Sequence, residues 1–160
     1  MRYFKVNLAQ IPTNHSDVKK HTSFSDDVET IIKTATKELS DWDGMYTNED
    51  AKKRFEKGMW CYVYYQNNIP MGIHWYYDIR PDVYGKQLFI SKHRDGSLSQ
   101  QWYEKNLNML YKEGYQNYVF YVDDWNEKSL NKVQRLSGIQ SISVHMFNDM
   151  IGAARKNIEI

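Results

Sequence analysis

The sequence predicts an α/β fold: a central mixed, mostly antiparallel sheet flanked by helices, with elements in the order β-α-α-β-β-β-α-β-α-β. Two observations predict it. Runs rich in β-branched and aromatic residues, such as MWCYVYY (59–65), alternate with segments whose apolar residues recur at helical spacing. The 160 residues suit one hydrophobic core and no Gly/Ser-rich linker divides them, so a single domain is expected over residues 1–160.

The chain is expected to begin with a strand and two helices. The strand is predicted from Tyr3 to Leu8, and polar linker sequence follows through about residue 24. Ser25 is the expected N-cap of the first helix and Gly44 its expected end. The apolar stripe of that helix comprises Val28, Ile31, Ile32, Ala35 and Leu39.

A shorter second helix is predicted from about Asn48 to Lys57. Thr47 or Asn48 can cap its start, because both side chains can accept a hydrogen bond from a backbone N–H of the first turn. Gly58 is the expected stop signal. The basic run KKR (52–54) on this helix predicts a solvated helix face.

The next stretch predicts a β-hairpin. MWCYVYY (59–65) and MGIHWYY (71–77) are expected to pair across the turn QNNIP. Residues 59–77 carry no Lys, Arg, Asp or Glu, which is also a property of membrane spans, but the amides at its centre would be costly to bury in lipid. The N-terminal residues have no apolar signal segment, so a cytoplasmic protein without a membrane partner is expected.

The second half predicts a strand, helix, strand, helix and strand in that order. Pro81 and Gly85 are expected to separate the hairpin from this series. The tail, 148–160, is compatible with either a short strand or a terminal helix. The predicted elements are a strand (Gln87–His93), a helix (Leu98–Glu113) ended by Gly114, a strand (Tyr118–Val122), a basic helix (Asn126–Leu136) and a strand (139–147).

Composition excludes several classes of function. A net charge of +1 argues against a nucleic-acid binder that works through bulk charge. Cys61 is the only cysteine, which excludes an internal disulfide and a cysteine-based zinc cage, and its apolar surroundings predict a buried structural thiol. No histidine spacing indicates a metal site, so none is predicted.

The turn RDGSLS (94–99) lies between a predicted strand and a predicted helix. The first N–H groups of a helix have no partner within it, and with the helix dipole they can hold a phosphate. Gly96, Ser97 and Ser99 are small enough to allow close approach, and Arg94 can add a charge-assisted contact. By itself such a turn is more often structural than phosphate-binding.

The order of these parts resembles the GNAT superfamily of N-acetyltransferases over roughly residues 3 to 147. In that family the turn typically reads R-x-x-G-x-G. Arg94 takes the basic position here, while Ser97 and Ser99 stand where the family has glycines. Asn126 with Ser129 is similar to the family's N-x-x-A/S signature, and RLSGI (135–139) is similar to its K-L-G-F ending.

The resemblance implies an acyl-CoA-dependent N-acyltransferase that uses acetyl-CoA as co-substrate. The pantetheine arm would enter between strands 87–93 and 118–122, and the acceptor would be an amine of a small molecule or protein. The resemblance assigns the cofactor to the backbone of Phe89, Ile90 and Ser91, to the turn residues Arg94, Asp95, Gly96, Ser97, Leu98 and Ser99, and to Asn126 and Ser129.

The catalytic residues are less clear from the sequence. Val133 stands where the family usually has its general-acid tyrosine. Tyr121 is a substitute acid if its ring points into the gap between the strands, and Asp123 is a candidate base because it ends the strand beside the proposed cofactor. His74 is a second candidate base, although a histidine on a central strand is more often part of the core.

A second class of function stays open on the same residues. The two serines in the turn and the missing acid are compatible with a GNAT-like protein that has lost its cofactor chemistry and acts in interaction or assembly. Small phage virion-associated proteins with decayed GNAT sequences resemble it in this respect. A protein partner or a homodimer is compatible with either class, and a nucleic-acid partner is not expected.

Overall fold

The computed structural model describes residues 1–39 and 47–158, with backbone only for Ala153. Within these residues the strands form one seven-stranded sheet in the order β2-β3-β4-β5-β6-β1-β7. The strands are β1 (Arg2–Asn7), β2 (Val18–His21), β3 (Trp60–Gln66), β4 (Ile69–Ile79), β5 (Asp82–Ile90), β6 (Asn117–Val122) and β7 (Ile139–Ile142). The helices are α1 (Asp26–Glu38), α2 (Asn48–Glu56), α3 (Leu98–Lys112), α4 (Glu127–Val133), α5 (Val144–Ile151) and α6 (Arg155–Ile158).

The α/β prediction is confirmed, and the chain forms two compact units. The first unit contains Met1–Thr13, Tyr77–Lys86 and Leu107–Ile160. The second unit contains Asn14–Tyr76 and Gln87–Asn106. The single domain over residues 1–160 stays a prediction.

In the second unit, β3 and β4 form the predicted hairpin with a tighter turn than expected. Asn67 and Asn68 have φ of 52° and 65°, the left-handed conformation that suits a two-residue hairpin loop and that asparagine tolerates. Pro70, predicted as part of the turn, lies in β4 opposite Tyr65, where the register shifts. The hairpin prediction is confirmed.

The strand β2 was missed because its sequence, VKKH, is short and polar. It pairs antiparallel with β3, with Val18 opposite Tyr64 and His21 opposite Cys61. The polar-linker prediction is therefore wrong for these residues. A short edge strand bearing lysines is a common way to protect the open edge of a sheet from further pairing.

Both helices of the second unit begin at the predicted caps. The Ser25 hydroxyl accepts a hydrogen bond from the Val28 N–H at 3.3 Å, and the Thr47 hydroxyl accepts one from the Asp50 N–H at 3.1 Å. Gly58 follows α2 with φ of 87°. The predicted end of the first helix, Gly44, lies outside the described residues.

In the first unit, β1 lies between β6 and β7. Tyr3 is opposite Tyr121 in one ladder and opposite Ile142 in the other, and both ladders are antiparallel. The parallel ladder of β5 with β6 is short and comprises Val83 opposite Tyr118 and Tyr84 opposite Val119.

Two strand boundaries differ from the prediction. Strand β5 begins at Asp82 and not at Gln87, because Gly85 lies inside the strand instead of ending a loop. Strand β7 ends at Ile142, and Ser143 caps α5 by accepting a hydrogen bond from the Met146 N–H at 3.1 Å. Residues 144–147, predicted as part of a strand, are helical. Helical spacing places Phe147 and Ile151 on the same side of α5, where both are buried.

The described part of the tail, 148–158, is helical, and it closes the core of the first unit. Phe147, Ile151 and Ile158 are buried in one cluster with Tyr84 and Val119 of the sheet. Along α3 the side chains of Trp102, Leu107 and Leu110 are buried, whereas Tyr111 is 53% exposed. No helix in the described parts of the chain is long and apolar enough to cross a membrane.

Candidate functional site

The turn from β5 into α3 is closed mainly by its own hydrogen bonds. The His93 N–H donates to the Ser91 hydroxyl at 3.2 Å, and the Arg94 N–H donates to the Ser91 carbonyl at 3.3 Å. The Leu98 N–H donates to the Asp95 carbonyl at 3.1 Å. These are backbone donors that a pyrophosphate would otherwise use, so much of the turn is already satisfied without a ligand.

Two carboxylates accept hydrogen bonds from this turn. Glu38, at the end of α1, accepts from the Ser91 hydroxyl at 2.6 Å and from the Lys92 N–H at 2.8 Å. Asp95 accepts from the N–H and the hydroxyl of Ser97 at 3.0 and 2.8 Å, and these bonds hold the pKa of Asp95 below its ordinary value. An anion that enters the turn therefore meets negative charge.

The Arg94 side chain folds back onto the turn. Its Nε donates to the Ser99 hydroxyl at 2.5 Å, and one terminal nitrogen donates to the Ser91 carbonyl at 3.1 Å. The Asp95 N–H donates to the side-chain oxygen of Gln66 at 2.9 Å. Arg94 as a whole is half-buried in this arrangement.

Three backbone donors stay available at the start of α3. Within the described residues, the N–H groups of Gly96, Ser99 and Gln100 meet no hydrogen-bond acceptor. A Cβ added at Gly96 would have open space around it. This part of the turn could hold one phosphate group next to Arg94.

The backbone of β5 alternates between its two edges. The Ser91 N–H donates to the Met71 carbonyl at 2.8 Å, and the Phe89 carbonyl lies 3.0 Å from an ideal Cβ built on Gly72. Both residues thus face β4. Since alternate residues of a strand pair with opposite neighbours, the polar backbone groups of Ile90 face the other edge. Phe89, Ile90 and Ser91 were predicted to contact pantetheine. Of these three, Ile90 is the one whose backbone N–H and C=O groups face the edge of β5 away from β4.

An irregularity in β5 precedes this edge. Gln87 has φ of 51°, an uncommon conformation for a residue other than glycine inside a strand, and one that is typical of a bulge. The Arg54 guanidinium donates to the Gln87 side-chain oxygen and lies 5.1 Å from the centre of the Trp75 ring. The predicted solvated face of α2 is therefore wrong for Arg54.

His74 is buried in a polar cluster under α3. Its Nδ1 lies 2.7 Å from the Tyr76 hydroxyl, and only 2% of the residue is exposed. The hydroxyls of Tyr76 and Tyr64 both donate to the Asn106 Oδ1, at 2.6 and 2.9 Å. Among the described atoms, the Asn106 Nδ2 is buried without a hydrogen-bond partner.

The candidates at the end of β6 belong to the first unit. The Tyr121 ring packs 6.4 Å from Tyr3 and 6.2 Å from Phe147, measured between ring centres. Burial, with the nearby charge of Asp123, raises the pKa of Tyr121. Its phenol is therefore protonated at neutral pH, but it gives up its proton less readily than an unperturbed tyrosine.

The predicted Asn126 and Ser129 signature forms a helix cap. The Asn126 Oδ1 accepts a hydrogen bond from the Ser129 N–H at 3.2 Å, and the Asn126 N–H donates to the Asp123 carbonyl at 3.0 Å. Val133, at the position of the family's usual acid, is buried in the core. Trp125, just before this cap, is 66% exposed.

The structure brings some predicted residues together and adds others. Ser91, Arg94 and Ser99 are joined by hydrogen bonds, whereas His74 lies in a different cluster of the same unit. Glu38 was missed because no sequence pattern marks a contact across 53 residues. Among the described residues, no group of three or more His, Cys, Asp or Glu side chains could hold a metal ion.

Comparisons with known proteins bear on this arrangement. No protein-family model and no curated protein matches the sequence. Solved structures do match. A putative acetyltransferase of the GNAT family from Novosphingobium aromaticivorans has a TM-score of 0.62 at 8% identity, and the match covers 88% of this chain and 59% of that protein.

Two further matches were solved with CoA groups. AAC(6')-Iy, in complex with the bisubstrate analogue CoA-S-monomethyl-acetylneamine, has a TM-score of 0.58 at 13% identity and covers 81% of this chain and 95% of its own. The PaiA N-acetyltransferase from Thermoplasma acidophilum, in complex with coenzyme A, has a TM-score of 0.54 at 12% identity, covering 74% and 87%.

The chain has the GNAT fold. Identities of 8 to 13% establish the fold alone. The chain spans less than two thirds of the length of several solved structures that it matches, including 59% of the Novosphingobium protein. These matches confirm the GNAT-like fold and the α/β architecture that were predicted from the sequence.

Proposed function

We propose that this GNAT-fold protein is an acyl-CoA-dependent N-acyltransferase that transfers acetyl from acetyl-CoA to an amine. The proposal rests on two features of the segment formed by β5, the turn and α3. Gln87 in strand β5 has a positive φ of 51°, and the start of α3 keeps the free N–H groups of Gly96, Ser99 and Gln100 beside Arg94. Structural neighbours solved with CoA groups support the choice of cofactor.

Each residue has a role in this proposal. The free N–H groups and Arg94 bind the pyrophosphate, with Asp95, Ser97 and Leu98 shaping the turn. Backbone groups at Ile90 pair with the pantetheine arm, and Phe89 and Ser91 hold β5 against β4. Asn126 and Ser129 place the start of α4, where the family's signature lies.

The reaction would be a direct transfer. The amine nitrogen attacks the thioester carbon, the C–S bond breaks, and the sulfur leaves as a thiolate that takes up a proton. Asp123 is the proposed base for the amine and Tyr121 the proposed acid for the thiolate. His74 is the weaker base, since its burial keeps it from a substrate unless it acts through a neighbour. The acceptor is an amine of a small molecule or of a protein.

Calorimetric titration with acetyl-CoA tests the proposal. The wild-type protein should bind it, and Arg94→Glu should weaken binding at least tenfold through the loss of a charge-assisted contact. Lys112→Glu makes the same charge change at the other end of α3 and should bind like the wild type. Absence of binding at millimolar acetyl-CoA would overturn the proposal.

A second function is favoured by one observation. Glu38 and Asp95 place carboxylates on donors of the turn, as a protein without an anionic cofactor can do without cost. The alternative is a GNAT-fold interaction or assembly protein with no cofactor. It predicts that size-exclusion chromatography detects a defined complex with a protein partner. It also predicts that calorimetric titration with acetyl-CoA shows no binding.

A further inference from the structure

A hydrogen-bonded chain of four side chains lies in the second unit and shares no residue with the turn. The Tyr65 hydroxyl donates to the Asp27 Oδ2 at 2.6 Å, and the same hydroxyl lies 2.9 Å from the His21 Nε2. The His21 Nδ1 lies 3.0 Å from the Ser25 Oγ. Tyr65 is buried, whereas the other three residues are only half-buried, so the serine end can be reached from solvent.

The carboxylate determines the direction of every hydrogen bond in this chain. An ionised carboxylate only accepts, so the Tyr65 proton points to Asp27 and the Tyr65 oxygen accepts from the His21 Nε2–H. A neutral imidazole carries one N–H, which leaves its Nδ1 as an acceptor. The Ser25 hydroxyl must then donate to His21. This is the state of a serine paired with a general base.

The surroundings keep His21 neutral at physiological pH. Burial lowers its pKa below the ordinary value of 6.5, the Asp27 charge raises it, and the Lys19 charge lowers it, with a net downward shift. Lys19 projects over the Tyr65 ring, 4.8 Å from its centre. Tyr65 keeps its proton, because burial and Asp27 raise its pKa.

We propose that Ser25 is an activated nucleophile, with His21 as its general base, that takes acyl groups from activated esters or thioesters. The Ser25 oxygen forms a bond to the acyl carbon while its proton passes to the His21 Nδ1. The ester C–O or thioester C–S bond breaks, and the leaving group takes the proton from His21. Water then attacks the acyl carbon and gives a proton to the His21 Nδ1, the bond between the acyl carbon and the Ser25 oxygen breaks, the carboxylic acid leaves, and Ser25 takes its proton back from His21.

Tyr65 and Asp27 are positioning residues in this proposal, since they act on the serine only through His21. They hold the imidazole in the tautomer whose Nδ1 lacks a proton. The serine also caps α1 by accepting the Val28 N–H, and that bond leaves its own proton free for His21. The site is independent of acetyl-CoA binding in the turn.

The chain contains a matched control serine. Ser143 caps α5 in the same manner, with its hydroxyl accepting the Met146 N–H at 3.1 Å, and within the described part of the chain no imidazole is hydrogen-bonded to it. Ser143 is also the more exposed of the two. Accessibility alone would therefore favour reaction at Ser143, and activation by a base would favour Ser25.

A fluorophosphonate probe tests the proposal on the full-length protein. The serine oxygen attacks phosphorus, the P–F bond breaks, and fluoride leaves. Peptide mass spectrometry measures labelling of both serines in the same sample. We expect Ser25 to be labelled at least ten times faster than Ser143, with a rate that rises with pH around a midpoint below 6.5, where His21 loses its proton. Equal labelling, or labelling of Ser143 alone, would overturn the proposal.

Variants separate activation from folding. His21→Gln should slow labelling of Ser25 by about a hundredfold, the usual contribution of a general base, and leave Ser143 unchanged. Asp27→Asn should move the midpoint of the pH profile further down, because the Asp27 charge raises the pKa of His21. A His21→Gln protein that labels Ser25 at the wild-type rate would show that His21 is not the base. The wild-type comparison of the two serines stands even if a variant does not fold, and acetyl-CoA titration is unaffected by either result.

Discussion

The Glu38 carboxylate accepts a hydrogen bond of 2.6 Å from the Ser91 hydroxyl, across 53 residues of sequence. With its second bond, to the Lys92 N–H, it joins the end of α1 to the start of the turn. Hydrogen bonds to a charged group contribute roughly 1.5–3 kcal/mol. Glu38→Ala should lower the free energy of unfolding in urea by about 1–3 kcal/mol, and Glu56→Ala on α2 should change it little.

The same glutamate bears on the proposed cofactor. The two donors bind different oxygens of Glu38, so Glu38→Gln keeps an acceptor for one of them and removes the negative charge from the turn. If acetyl-CoA binds there, we expect its affinity to rise several-fold in calorimetry, more at low salt than at high salt. A lower affinity in Glu38→Gln would mean that the carboxylate positions the turn for the ligand instead of repelling it.

Asp95 should make the free energy of unfolding depend on pH. Its pKa is lowered in the folded state by the bonds from Ser97, so its stabilising effect is complete above the ordinary value of 3.8 and is lost as the pH falls through the lowered value. Urea unfolding should therefore show a smaller loss of stability below pH 3.8 in Asp95→Asn than in the wild type. Asp149→Asn, on α5, controls for net charge and should follow the wild type.

Gln87 should tolerate glycine better than valine. Glycine relieves the positive φ at the cost of the bond from Arg54, so Gln87→Gly should change the free energy of unfolding by less than about 1 kcal/mol. Gln87→Val loses the same bond and adds backbone strain, for a cost of roughly 2–3 kcal/mol. Leu88→Val, at the next position, is the control for the introduction of a valine into β5. A fully stable Gln87→Val protein would mean that the bulge relaxes without cost.

Asn106 should matter for stability through its two tyrosine partners. Asn106→Leu leaves the hydroxyls of Tyr64 and Tyr76 without their shared acceptor and should cost about 2–4 kcal/mol in urea unfolding. Tyr64→Phe removes one hydroxyl with its bond and should cost only about 0.5–1.5 kcal/mol. Similar costs for both variants would contradict the idea that unsatisfied hydroxyls cause the loss.

The Cys61 thiol should be unreactive in the native protein. Burial raises the pKa of its thiol, and the side chain is fully enclosed in β3. Thiol labelling with a disulfide reagent should therefore proceed only through unfolding, and its rate should increase with urea in step with the unfolded fraction. Fast labelling in the absence of urea would show a local opening of β3.

The amino-acid sequence by itself determined the elements whose signals are local. Helix α1 could be predicted because Ser25 caps it and its apolar residues recur at helical spacing, and the β3–β4 hairpin because of its aromatic runs around a turn rich in asparagine. The order and spacing of these elements were enough to predict the GNAT fold. The turn RDGSLS was also placed correctly, at the junction of β5 and α3.

Only the tertiary structure decided what those residues do. Strand β2 has too few apolar residues to be recognised and forms because β3 provides a partner, and residues 144–147 are helical because that arrangement buries Phe147. The contacts of Glu38 with Ser91 and of His21 with Ser25 and Tyr65 depend on how the chain folds back on itself. Local propensity cannot report such contacts, because their energy exists only once distant segments have been brought together.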